Sequence, residues 1–167
     1  MGKTRIVLDT SAIISLGCAS TFHLIERIFD LHSPTRVKEE LKEISLADDE
    51  IGKIAKDILQ AKYIKFHNLA SNLKSNLGEV ESINLANELN AKIIIIDDIK
   101  SMKNLEKKTR IPLLFSSFII YSLSERKIIS YDDGWSAIED MKAKRQWEEN
   151  LIMEYAKFLF EKEEKQT

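Results

Sequence analysis

Two apolar runs in the chain have no polar interruption. "RIVLD" at 5–9 and "KIIIIDD" at 92–98 are continuous aliphatic stretches that stop abruptly at acids, the pattern of strands buried on both faces of a parallel sheet. Between them "CASTFHLIERIF", "SPTRVKEELKEI" and "DDEIGKIAKDILQA" carry apolar residues at helical spacing, and "GEVESINLANELN" does so again. Beyond Asp98 the pattern predicts a short polar helix, a strand over "RIPLLFS" and a helix over "SFIIYSLSERKII". Strands alternating with helices predict an α/β fold with a mainly parallel central sheet. The last segment, from "WSAIEDMKAKRQ" to the end, predicts one long helix or two. There Leu151, Tyr155, Phe158 and Leu159 form an apolar stripe that must be covered, by the domain's own core or by a partner or second copy. The expected division is a domain over 1–131 and a C-terminal helical extension over 132–167.

Composition narrows the class. With 167 residues, 44% hydrophobic, 31% charged, and only 5 Gly and 2 Pro, the chain suits one helix-rich globular core. A net charge of -2 gives no general basic surface, so a nucleic-acid partner has to be met by a local patch or through bound cations. Cys18, the single cysteine, excludes an intramolecular disulfide framework and a thiolate zinc site, fits a reducing cytoplasm, and is expected to pack as a small apolar residue. The apolar runs fall well short of the roughly 20 residues that span a bilayer, so a cytoplasmic protein without membrane contact is expected.

The acids at the strand ends carry the chemistry. Ligands of parallel α/β sheets bind beyond the carboxyl ends of the strands, and Asp9 and the pair Asp97 and Asp98 stand there. If the two strands are parallel neighbours, these carboxylates emerge on one edge. A helix cap is the plain alternative for each, and Thr10 and Ser11 are expected to take that task from Asp9. In "SPTRVKEELKEI", Val37, Leu41 and Ile44 define a buried face. At about 100° per residue Glu40 lies roughly 60° from Val37 and Glu39 about 160°, so Glu40 borders the core and Glu39 faces water. Neither Arg36 nor Lys38 is expected to pair reliably with Glu40, and a marginal carboxylate needs a partner. Glu79 and Glu81 open the next helix, where acids complement the helix dipole. Residues two apart diverge, so only one is expected to point inward, and Glu81 is favoured. Several carboxylates converging without basic partners repel one another unless divalent cations join them. Oxygen-only ligands favour Mg²⁺ or Mn²⁺ over zinc, and the chemistry that suits such a cluster is phosphodiester hydrolysis.

At this point "LDTSAII" (8–14), "VKEEL" (37–41), "GEVESINLA" (78–86) and "IIIIDD" (93–98), in that order and spacing, resemble the PIN domain, in particular VapC-like proteins of prokaryotes. The resemblance covers about residues 4–130 and implies a three-layer fold and a metal-dependent endoribonuclease. Carried over position by position, it implies that Asp9, Glu40, Glu81 and Asp98 hold Mg²⁺ or Mn²⁺ and are catalytic, with Thr10, Ser11, Glu79 and Asp97 as auxiliary residues. Many family members carry Asp where this chain has Glu81. The implied partners are an RNA substrate, an antitoxin protein if the chain is the toxin of a type II pair, and a second copy in a homodimer. Expected RNA contacts are Lys100, Lys103, Lys107 and Lys108, with Lys142, Lys144 and Arg145 further on. The alternatives are a non-catalytic PIN-like module that binds RNA or protein, and an RNA-processing nuclease without an antitoxin. A phosphatase of the haloacid dehalogenase type also opens with an acid at a strand end, but its D-x-D is broken here by Ser11.

Overall fold

The computed structural model describes residues 2–75 and 78–164. Its strands are β1 (Thr4–Leu8), β2 (Phe29–Pro34), β3 (Lys65–His67), β4 (Ile93–Ile95) and β5 (Leu113–Leu114), ordered β3-β2-β1-β4-β5 in one sheet. Every neighbouring pair is parallel. The connections supply the helices: α1 (Thr10–Cys18), α2 (Phe22–Ile25), α3 (Thr35–Ile44), α4 (Glu50–Ala61), α5 (Gly78–Glu88), α6 (Ile99–Leu105), α7 (Ser117–Glu125), α8 (Tyr131–Lys144) and α9 (Leu151–Glu164).

The unbroken apolar runs are explained by burial on both faces. Ile6 and Leu8 of β1 and Ile95 of β4 pack into one core with α1, α3, α7 and α8, while Val7, Ile94 and Ile96 pack into the other with α5 and α6. Alternation along each strand therefore feeds two apolar layers rather than one layer and solvent. Cys18 is wholly buried in the first core.

Two strands were not anticipated. β2 (FDLHSP) falls where the pattern suggested the end of one helix and the start of the next, and β3 has only three residues. The C-terminal segment forms two helices, and α9 wedges between the cores: Met153 and Ala156 enter one and Ile152 the other. The expected stripe is thus turned. Leu151 is 46% and Phe158 60% exposed, and the buried positions are Ile152, Met153 and Ala156. Among the described residues no helix is long and apolar enough to cross a membrane.

Candidate functional site

Sheet register sets the site. Leu8 lies beside Ile95, and the Asp9 N–H donates to the Ile95 carbonyl at 3.0 Å. Asp9, Asp97 and Asp98 therefore leave the sheet at one carboxyl edge. Asp9 occupies the N-cap position of α1 with extended backbone, yet its side chain caps nothing. Nor do the neighbouring hydroxyls cap the helix as expected. Thr10 Oγ1 donates to Glu40 Oε2. Ser11 Oγ donates to Asp9 Oδ2 at 3.2 Å and accepts from the Asp97 N–H at 3.0 Å. Both hydroxyls are spent on fixing acids and the strand exits.

Helix α3 presents Glu40 half-buried and Glu39 exposed, as its periodicity requires. Arg36 is a correction. Its Nε lies 3.5 Å from Glu40 Oε1 across one helical turn, a spacing that favours pairing. The start of α5 closes on the same group, since a Cβ on Gly78 would stand 3.2 Å from both Glu40 Oε1 and Arg36 Nε.

The two acid doublets divide their tasks. Asp97 is buried, accepting from Ser116 N at 2.8 Å and Ser116 Oγ at 2.5 Å, and its burial raises its pKa. Asp98 is exposed and caps α6 by accepting from Ser101 N at 2.9 Å. In α5 the structure brings Glu79, rather than Glu81, towards Asp98. Glu79 Oε1 accepts from Ser101 Oγ at 2.6 Å, so one serine touches both acids. Glu81, two residues on and so about 160° around the helix, is buried and accepts from Ser75 N at 2.9 Å. It lines a pocket with Arg36, His67 and Lys74 that includes none of Asp9, Glu40 or Asp98.

Asp9 carries the clearest electrostatic signature. Burial, with Glu40 and Asp98 adding repulsion, pushes its carboxyl up to about 6 against the opposing influence of the adjacent Thr10 N–H and the Ser11 hydroxyl. Among the described residues no ion pair reaches Asp9. A desolvated carboxylate facing two further acids suits a cation, and oxygen donors suit Mg²⁺ or Mn²⁺. The side chains as placed are not a formed coordination sphere: among the described residues no three His, Cys, Asp or Glu groups are close enough to hold one ion.

Of the expected RNA contacts, Lys100, Lys103, Lys107 and Lys108 are exposed on and just after α6. Lys142 instead pairs with Glu149 at 3.0 Å and Lys144 with Glu50 at 3.6 Å. Arg145 is partly buried.

An all-parallel sheet flanked by helices, with acids gathered where β1 and β4 end, defines a three-layer α/β domain with an acidic carboxyl edge. The family model described as PIN domain matches residues 5–161, and the chain belongs to the PIN domain family. The match runs on through α8 and into α9. PIN domains are generally nucleases, and PIN-domain nucleases generally use divalent metal ions. No curated protein matches this chain.

Proposed function

We propose that the protein is a metal-dependent endoribonuclease whose acidic edge hydrolyses RNA phosphodiester bonds. The observation that carries this reading is that Asp9, Glu40 and Asp98 share one edge beyond β1 and β4, near enough for Glu40 and Asp98 to repel a desolvated Asp9 that no ion pair reaches among the described residues. Asp9, Glu40 and Asp98 would hold Mg²⁺ or Mn²⁺. Glu79, joined to Asp98 through Ser101, replaces Glu81 in that set. When bound, the ion would activate water and neutralise phosphate charge. The chain's own residues do the positioning. Thr10 orients Glu40, and Ser11, held by the Asp97 N–H, orients Asp9. Lys100, Lys103, Lys107 and Lys108 place exposed charge on and just after the helix that Asp98 caps, for the RNA backbone.

The test is cleavage of a fluorescent RNA with Mg²⁺, Mn²⁺ or chelator. Cleavage should need the ion and fall at least a hundredfold in Asp9→Asn, with the fold intact by circular dichroism. Full activity in that variant would sink the scheme. Absence of Mg²⁺ binding by calorimetry with all acids present would favour a non-catalytic binding module. Within the ribonuclease reading we assign the role of toxin in a type II pair, on the VapC-like order of "LDTSAII", "VKEEL", "GEVESINLA" and "IIIIDD". A cytoplasmic dimer held under an antitoxin is then expected. A neighbouring short reading frame whose product blocks cleavage tests the role, and its absence would favour RNA processing.

A further inference from the structure

Arg36 belongs to two places at once. Its Nε faces Glu40 at the acidic edge, and its side chain also lines a pocket of about 110 Å³ with Thr35, His67, Asn68, Lys74 and Glu81. Since a water takes about 30 Å³, that space admits three or four waters or the inward edge of one planar base.

The walls have complementary chemistry. Glu81 is only 7% exposed, and no ion pair reaches it among the described residues. An ionised carboxylate offers about four acceptor sites, and Ser75 N–H uses one. A buried carboxylate in this position calls for further donors. His67 forms another wall. Its Nε2 is bonded to His32 Nδ1 at 2.8 Å, and His32 Nε2 lies 2.9 Å from Asp30 Oδ2, off the line of a hydrogen bond. That chain fixes the His67 ring, whose centroid lies 5.0 Å from that of His32 at a 39° tilt, and burial and His32 hold it below the ordinary imidazole range, so it brings to the pocket wall a neutral aromatic ring of the kind on which unstacked RNA bases rest. Arg36 and exposed Lys74 supply positive charge at the rim, where exposed Glu39 also stands.

We propose that this pocket seats the base of a nucleotide next to the scissile phosphate and selects guanine: Glu81 accepts from its Watson–Crick edge, His67 stacks on its face, and Arg36 and Lys74 take the flanking phosphate. Guanine alone presents a ring N–H beside an exocyclic amino group, two parallel donors that match the two oxygens of a carboxylate. Adenine and cytosine set a ring acceptor beside the amino group, and uracil sets its single N–H between two carbonyls. A site built around such donors strongly rejects analogues that lack them.

The assignment rests on the ribonuclease reading, and the two are separable. Binding of GMP, AMP, CMP and UMP to the full chain in chelator, followed by calorimetry, should show GMP at least tenfold tighter than AMP. Glu81→Gln should abolish that preference with its thermal melt confirming a folded protein. His67→Leu should weaken all four nucleotides together. Equal binding of the four by the wild-type chain, or a GMP preference that survives in folded Glu81→Gln, overturns the assignment. Metal-dependent cleavage with no base preference beside the cut also overturns it while leaving the nuclease reading intact. GMP selection without any cleavage keeps the base seat and removes the nuclease reading.

Discussion

Replacing Asp9 by asparagine in the metal-free protein removes a charge that the fold disfavours, so the variant should be more stable than the wild type although it loses the proposed activity. The Asp9 carboxyl moves from its ordinary 3.8 to about 6 on folding. At 1.36 kcal/mol per pH unit this penalises the ionised form by about 3 kcal/mol. The side chain is partly exposed, and solvent screening brings the expected measured gain to about 1–2 kcal/mol. Asparagine keeps the shape and still accepts from Ser11. For a domain of this length, that gain corresponds to roughly 3–6 °C in Tm. The sign with pH follows from linkage. Because the folded protein holds this proton more tightly than the unfolded chain, the wild type loses stability relative to the variant as pH rises from about 4 through 6. The advantage of Asp9→Asn should therefore be near zero at pH 4 and complete above about pH 7. Urea melts of both proteins in chelator at pH 4.5, 6 and 8 read this directly. Saturating Mg²⁺ should then raise the wild type selectively, because only it binds the ion well. A variant equal to or weaker than wild type at pH 8, or an advantage that does not change with pH, would refute the electrostatic account of Asp9.

Ser116→Ala should cost about 1–3 kcal/mol, since it removes the hydroxyl donor at 2.5 Å from buried Asp97. The loss should be larger at pH 8 than at pH 5, because a carboxylate with fewer donors resists ionisation further; a pH-independent loss in urea melts would contradict this. On α9, Ile152→Ala should cost about 2–5 kcal/mol as a core truncation, while Phe158→Ala, at a position 60% exposed, should change the stability of the monomer by no more than about 0.5 kcal/mol. Equal losses in denaturant melts at low protein concentration would put the helix in the wrong phase.

Legibility followed burial. β1 and β4 were readable because Ile6, Val7 and Leu8, and Ile94, Ile95 and Ile96, are buried on both faces of the sheet without a polar break. β2 was not, because Asp30, His32 and Ser33 interrupt it for partners elsewhere: Lys65 for Asp30, His67 for His32 and the Leu8 carbonyl for Ser33. Those partners are 25 to 35 residues away along the chain, beyond any local period. α9 failed for the opposite reason. "LIMEYAKFLF" is apolar on most of its circumference, so spacing alone does not select a buried stripe, and the two cores on either side of the helix make the choice.

The candidate site was legible to the level of doublets and no further. Sheet logic picked out Asp9 and the Asp97–Asp98 pair, and helix periodicity separated Glu40 from Glu39. Within each doublet the tasks depend on distant serines. Ser116, 19 residues on, draws Asp97 inward. Ser101, 22 residues on, keeps Glu79 beside Asp98. Consecutive residues leaving a strand point to opposite sides, and residues two apart in a helix nearly do so, so each doublet supplies one acid to the interior or a side pocket and one to the edge. Asp97 ties β4 to α7, and its N–H holds the hydroxyl that orients Asp9. Loss of the Asp97 carboxylate should therefore register first as instability, whereas Asp98→Asn, which keeps an acceptor for the Ser101 N–H at the start of α6, should register as lost activity at nearly full stability. Glu81 and Glu79 should divide in the same way between base selection and hydrolysis.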